Sequence, residues 1–216
     1  SLSGTNEFRG EWAQHVAELA AEGVISPETA AEHPALVIVG LAGSIDNDLV
    51  GTDMTIGADT ALHRILDAID QLTSTAASHQ RTFVVEVMGR HCGYLPLMAA
   101  VAGGADYVFT PEDPAGPGWQ DELAEHLRLG REAGRRESIV LVAEGAHDRD
   151  GNELSTQLIA DTIQERTGED ARVTILGHVQ RCGTPSAYDR WMSTLLGYAA
   201  VQEILASTAE DEPVIL

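Results

Sequence analysis

Two aspartates separated by one asparagine, Asp46 and Asp48, end the polar stretch Gly43-Ser44-Ile45-Asp46-Asn47-Asp48. Carboxylates at this spacing in a turn can divide their labour, one binding Mg²⁺ and the other accepting a proton from an attacking hydroxyl. The same residues also suit an ordinary Asp/Asn turn that caps the next helix. Met88-Gly89-Arg90 follows an apolar run and leads towards a helical pattern. An oxyanion placed there would meet backbone amides and a guanidinium together, although a strand-to-helix turn takes glycine for purely conformational reasons too. Arg172, His178 and Arg181 bracket the apolar segment VTILG, with Gln180 beside the last of them. Two guanidiniums and an imidazole converging at a strand end suit a phosphate dianion, while pairing with surface carboxylates is the commoner fate of arginine. Glu144, between Ala143 and Gly145, is placed to cap, to be solvated, or to accept hydrogen bonds from sugar hydroxyls.

Composition limits what these groups can be asked to do. The chain has 216 residues and a net charge of −21, which disfavours nucleic-acid or anionic-membrane surfaces because bound phosphates would face a repulsive field. Its thirteen basic residues are all arginine, so Schiff-base chemistry and the phosphate-binding lysine of Walker loops and protein kinases are excluded. Any phosphate must be held by guanidiniums, backbone amides or a metal. Cys92 and Cys182 lack CxxC spacing and fit a reducing, cytoplasmic setting. No cluster has zinc-ligand spacing, no apolar run reaches the roughly 20 residues needed to cross a bilayer, and the first residues do not read as a secretory signal. The absent initiating Met points to a trimmed chain or a fragment.

The elements that must position these residues alternate. Helical periodicity runs over Asn6 to Ala21, with Trp12, Val16 and Leu19 on one face. Ala35 to Leu41 is a continuous apolar run, as expected of a strand buried on both faces. Thr60 to Leu72 reads as an amphipathic helix, with His63 and Arg64 facing solvent or an interface. Strand-like and helix-like segments then follow in turn: Thr82 to Met88, Gly93 to Ala102, Tyr107 to Thr110, Trp119 to Gly134, Ser138 to Ala143, Ser155 to Thr167, Val173 to Leu176 and Asp189 to Ala206. This pattern predicts an α/β fold with a mostly parallel sheet and helices on both faces. Ligands of such sheets sit beyond the carboxyl ends of the strands, where the polar clusters after Leu41, Val87, Ala143 and Leu176 fall.

Four stretches resemble the phosphofructokinase family: GSIDND with GTDMTIGADTALHRI (Gly43 to Ile65), SHQRTFVVEVMGRHCGYL (Ser78 to Leu95), AEGA (Ala143 to Ala146) and ARVTILGHVQRCGTPSAYDR (Ala171 to Arg190). They occur in the family's order, and the wording is similar to the eukaryotic, fungal-like ATP-dependent enzymes. The resemblance implies transfer of the ATP γ-phosphoryl group to the 1-hydroxyl of fructose 6-phosphate. Asp46 would then be the base, Ser44 would line the reaction centre, and Asp48 would help to position Mg²⁺. Arg90 would neutralise the transferred phosphoryl group, Met88 and Gly89 would border the sugar, and Glu144 and Arg181 would hold its hydroxyls. His178, Arg81 and Arg172 would bind the sugar's phosphate, the two arginines reaching in from a neighbouring subunit, so that the site requires an oligomer. By the same resemblance residues 1–57 and 181–216 belong to the nucleotide-side lobe and 58–180 to the sugar-phosphate lobe. Ser1 and Gly4 stand at the margin of the nucleotide contacts, downstream of the Gly-rich loop that holds most of them in the family.

Two positions depart from the family pattern. Cys182 replaces the usual glycine after Arg181, where strain or a shifted loop would show. Pro96 falls in the first turns of a helix, where it is tolerated only near the start. Three rival readings stand beside the leading one. An effector-binding half that does no chemistry is opposed by the intact Asp46 and Asp48. A pyrophosphate-dependent relative is opposed by Gly43, where those enzymes carry lysine. An inactive fragment that binds sugar phosphate weakly is compatible with the same parent function.

Overall fold

The computed structural model describes residues 2–208 and 211–216. They form two compact units, one of residues 1–42 with 191–216 and the other of residues 43–190.

In the first unit, α1 (Leu2–Ala21) starts four residues before the periodicity that betrays it. Val16 is buried and Trp12 half-buried, whereas Leu19 is exposed. A short α2 (Pro27–Glu32) follows, with Ser26 Oγ accepting the Thr29 amide and Pro27 at the first helical position, both favourable at a helix start. The run Ala35 to Leu41 is not the doubly buried strand expected of it. Only β1 (Val39–Gly40) pairs, in parallel with β8 (Val214–Ile215), and the flanking residues stay half-exposed. Arg9 ties this unit together through Glu212 (3.1 Å) and the Asp211 carbonyl (2.8 Å).

The second unit is a three-layer α/β sandwich. Its central sheet holds β4 (Thr82–Val87), β5 (Tyr107–Phe109), β6 (Ser138–Ala143) and β7 (Ala171–Ile175), all parallel, in the order β5-β6-β4-β7. β6 is buried throughout, and its apolar run from Ile139 to Ala143 suits a strand covered on both faces. Alternate residues supply the two faces. Val84, Val140 and Val142 pack under α5 (Trp119–Glu132) and α6 (Thr156–Thr167), with Leu123, Leu127, Ile159 and Ile163 completing that core. Val85, Val87, Ile139 and Leu141 pack on the other side under α3 (Ala58–His79) and α4 (Tyr94–Gly103), against Ile65, Ile69, Leu95 and Ala99. The expected α/β architecture, with a parallel sheet covered on both faces, is therefore present.

Local signals set the helix ends. Ser155 Oγ caps α6 by accepting the Leu158 amide at 3.2 Å, and Gly168 ends that helix in the left-handed conformation. Pro96 is the third residue of α4, and the first backbone bond of that helix runs from Leu97 N–H to the Gly93 carbonyl, so the ring displaces no internal bond. α3 begins at a glycine without a side-chain cap. Its cap comes from the start of α7 (Ala187–Ala206): buried Asp189 accepts the amides of Gly57 and Thr60, both at 2.8 Å, and the Thr60 hydroxyl. Two further short strands, β2 (Gly43–Ser44) and β3 (Ile56–Gly57), pair in parallel and close the base of the loop that bears the aspartates.

Candidate active site

The loop between β2 and β3 is braced by its own side chains. The Thr55 hydroxyl donates to the Ser44 carbonyl at 2.6 Å, and Asn47 Oδ1 accepts the Thr55 amide at 2.8 Å. Asn47 adopts φ +56°, a left-handed conformation that asparagine tolerates better than most residues. It is thus a structural staple between the two aspartates. The Asp46 amide donates to Ser44 Oγ at 3.1 Å, so Ser44 orients the backbone of Asp46.

Asp46 is 5% exposed, and its Oδ1 is buried with no hydrogen-bond partner. Burial pushes this carboxyl above the usual carboxylate range and the nearby Asp48 pushes the same way. Arg90 and Arg181 offset part of the shift, and Glu144 adds to it. Asp48 itself is exposed. Asp46 Oδ2 lies 3.5 Å from Nε of Arg90. The loop also meets the Arg90 turn through Cys92 Sγ, 3.9 Å from the Asn47 carbonyl, and through the Tyr94 hydroxyl, 3.6 Å from Met54 sulfur. The Asp46 carboxylate and the Arg90 guanidinium therefore face one another.

Every amide of the Arg90 turn but that of His91 has an identified acceptor. Met88 N–H donates to Gln180 Oε1 (3.2 Å), Gly89 and Arg90 N–H to Glu144 Oε2 (3.3 and 3.0 Å), Cys92 N–H to the Gly89 carbonyl (2.9 Å), and Gly93 N–H to Glu112 Oε1 (2.6 Å). Arg90 has φ +53°, a conformation that costs a non-glycine residue about 1 kcal/mol; the two bonds from Glu144 hold it there. Two glycines permit the packing. A Cβ at Gly145 would overlap the Arg90 carbonyl oxygen, and one at Gly89 would overlap the Cys92 carbonyl oxygen.

The strand ends thus bring together Ser44, Asp46, Asp48, Met88, Gly89, Arg90 and Glu144. A 3₁₀ turn, Gly177–Arg181, follows β7 and carries the exposed side chains of His178 and Arg181 at the same edge of the sheet. Arg81 and Arg172 are elsewhere. Arg81 precedes β4, and Arg172 is the second residue of β7, in register with Phe83. Both bind Asp170, Arg81 Nε at 2.7 Å and Arg172 Nη2 at 3.0 Å. The six residues of β4 put that end of the sheet about 17 Å from the Arg90 turn at ~3.3 Å per residue, so within one chain these two arginines do not join the site. Ser1 lies outside the described residues, and Gly4 sits in the first turn of α1. Cys182 adopts φ −101°, which any residue can take, and Gly183 carries the left-handed backbone at φ +95°; the cysteine is not strained. Arg64, expected to face solvent or an interface, keeps 38% of its side chain exposed and lies 3.4 Å from Asp67, with its guanidinium also beside Gly183.

Sequence reasoning did not single out Glu112, Asp189 or the role of Gln180, since each acts through partners distant in sequence. A cavity of about 540 Å³ between α5 and α6 is lined by Arg128, Arg131 and Arg166, but each pairs with a carboxylate: Glu125, Glu169 and Asp121. It offers an anion no free cation.

No group of three or more His, Cys, Asp or Glu among the described residues could cage a metal. Mg²⁺ asks for less, since it is usually held by one or two carboxylates together with substrate phosphates. Asp48, exposed beside a buried carboxylate whose Oδ1 makes no hydrogen bond, fits that role. No helix of the described residues is long and apolar enough to cross a membrane.

Residues 1–204 match the family model described as phosphofructokinase. The chain is 54% identical over 210 residues to the liver-type ATP-dependent 6-phosphofructokinase of Homo sapiens, covering 97% of this chain and 27% of that protein. It is 50% identical over 217 residues to ATP-dependent 6-phosphofructokinase 2 of Aspergillus oryzae, covering all of this chain and 28% of that protein. The solved phosphofructokinase of Saccharomyces cerevisiae superposes with a TM-score of 0.95 at 51% identity, over 99% of this chain and 29% of that one. The chain thus spans about a quarter of the length of these relatives. A buried carboxylate facing a strained, clamped arginine beyond a parallel sheet, on a backbone and sequence so closely shared, shows that the chain belongs to the phosphofructokinase family.

Proposed function

We propose that this chain supplies the sugar-binding and proton-abstracting part of an ATP-dependent 6-phosphofructokinase, a cytoplasmic enzyme of glycolysis that phosphorylates the 1-hydroxyl of fructose 6-phosphate. The observation that carries this reading is Asp46: a buried carboxylate with one oxygen unbonded and the other 3.5 Å from an exposed guanidinium. An unbonded lone pair in a poorly solvated site is what a general base offers to a substrate hydroxyl. The raised proton affinity of Asp46 makes it a better acceptor than a solvated aspartate, while the flanking arginines keep it within reach of ionisation.

The remaining roles are those the resemblance implies, and position supports them. Ser44 fixes the backbone of Asp46. Arg90, its side chain 69% exposed, is free to swing onto the phosphoryl group as negative charge gathers there, while its backbone stays clamped by Glu144. Met88 and Gly89 border the sugar, and the second oxygen of Glu144 and the guanidinium of Arg181 take its hydroxyls. His178 binds the sugar's phosphate. Bound Mg²⁺, held by Asp48 with the nucleotide phosphates, would neutralise charge on the donor. ATP is the assigned donor because Gly43 leaves open space where a side chain would stand: a Cβ there meets nothing within 4 Å.

Arg81 and Arg172 are assigned to the site of a neighbouring subunit. Their position at the far end of the sheet supports this, since they cannot serve their own chain's Arg90 turn without leaving Asp170. The intact protein should release ADP only when fructose 6-phosphate and ATP are both present, in a coupled assay. Equal activity with pyrophosphate in place of ATP would contradict the donor assignment, and a lack of any sugar-dependent turnover would contradict the reading.

A further inference from the structure

Gln180 is 1% exposed, and a buried amide is costly unless both its ends are bonded. Both ends are: Oε1 accepts the Met88 amide at 3.2 Å, and Nε2 donates to the Gly177 carbonyl at 2.9 Å. The partners fix which atom is which, since an N–H can only donate and a carbonyl only accept. They also belong to different walls of the site. Met88 opens the turn that carries Arg90, and Gly177 opens the 3₁₀ turn that carries His178 and Arg181. The ladder between β4 and β7 ends at the pair Glu86 and Ile175, followed by the Leu176 amide on the Glu86 carbonyl at 3.2 Å. Beyond that point the strands part, and Gln180 carries the connection past the last ladder bond.

We propose that Gln180 is a positioning residue that sets the spacing between the phosphoryl-transfer arginine, Arg90, and the sugar-phosphate-holding turn with His178 and Arg181. It is buried behind both walls and acts through them, with no contact of its own to substrate. This rests on the reading of the site given above.

Gln180→Glu in the intact protein provides the test. When protonated, the new side chain reproduces both bonds, its carbonyl accepting from Met88 and its O–H donating to Gly177. When ionised it sets a carboxylate against the Gly177 carbonyl. The ratio of variant to wild-type KM for fructose 6-phosphate should therefore be near one in mildly acidic solution and climb to about tenfold or more in mildly alkaline solution, the scale of one buried hydrogen bond turned repulsive. Taking the ratio at each pH removes the titration of Asp46, which both proteins share. A ratio that stays flat near one across this range overturns the proposal, whereas a wild-type protein that phosphorylates no sugar overturns the site reading instead. Hydrogen exchange in the wild type needs no variant to fold and no turnover. The Met88 amide, past the end of the ladder, should exchange at least about tenfold more slowly than an unprotected amide; exchange at the unprotected rate overturns the bridge.

Discussion

The carboxylate of Asp46, 6% exposed, and the guanidinium of Arg90, 69% exposed, lie 3.5 Å apart. The asymmetry matters more than the distance. An ion pair with one solvated partner adds little to stability, yet the same geometry keeps a carboxylate of raised proton affinity beside a solvent-exposed cation. Desolvation and the like charge of Asp48 act against the ionised carboxylate, and Arg90 and Arg181 act for it.

Replacing Arg90 by alanine removes one of the cations that hold the Asp46 proton affinity down. Two effects are expected together. kcat should fall by about 10²-fold or more, the scale of losing one charge-stabilising contact in a transition state. The acid limb of the pH–rate profile should also move to higher pH. A drop in kcat with an unmoved acid limb would separate Arg90 from Asp46 electrostatically.

Asp46→Asn should make the fold more stable at neutral pH. Because the folded-state proton affinity of Asp46 is raised above the ordinary pKa of 3.8, the folded protein holds its proton more tightly than the unfolded chain does. The resulting stabilisation is complete below that ordinary value and is lost as pH rises through the folded one. The neutral asparagine escapes this loss. Melting temperatures should therefore favour the variant at pH 7 and converge with wild type below pH 3.8; a variant less stable than wild type at pH 7 would refute the assignment of Asp46 as a desolvated carboxylate.

Gly145→Ala tests how tightly the Arg90 turn is held. A Cβ there overlaps the Arg90 carbonyl oxygen and also approaches His91 Cα, at 3.4 Å, so backbone must yield. A stability loss of about 1–3 kcal/mol is expected, with a fall in kcat beyond what the folded fraction explains. Denaturant titration alongside kinetics separates the two, and wild-type kcat in the folded fraction would show that the turn tolerates displacement.

Arg172→Ala should leave the melting temperature nearly unchanged, because its pairing with Asp170 is exposed. Its KM for fructose 6-phosphate should rise sharply. If Arg172 serves a neighbouring subunit, mixed oligomers of Arg172→Ala and Asp46→Asn chains regain activity, since some sites then combine an intact base with an intact arginine from the other chain. Without regained activity on mixing, Arg172 acts within its own chain or not at all.

The second unit was legible wherever local chemistry decides structure. β6 matches its expected span because its apolar run is buried throughout, and α6 begins and ends at a serine cap and a left-handed glycine that the sequence displays. Ala35 to Leu41 reads just as strongly, yet only two of its residues pair, since a strand needs a partner that apolar composition does not reveal. The aspartate loop and the Arg90 turn were visible as polar clusters after apolar runs. What holds them was not: Gln180 reaches Met88 across 92 positions, and Asp189 reaches Gly57 across 132. Spacing groups Arg172 with His178 and Arg181, and the resemblance alone adds Arg81; only the register of β4 and β7 shows both arginines at the opposite end of the sheet from Arg90.

The most direct measurement compares turnover and sugar binding in Asp46→Asn within the intact protein. Loss of the positioned base should lower kcat by about 10²- to 10⁴-fold, while the Kd for fructose 6-phosphate, measured by calorimetry, stays within about threefold of wild type. Turnover near the wild-type rate in that variant would contradict the account at its centre.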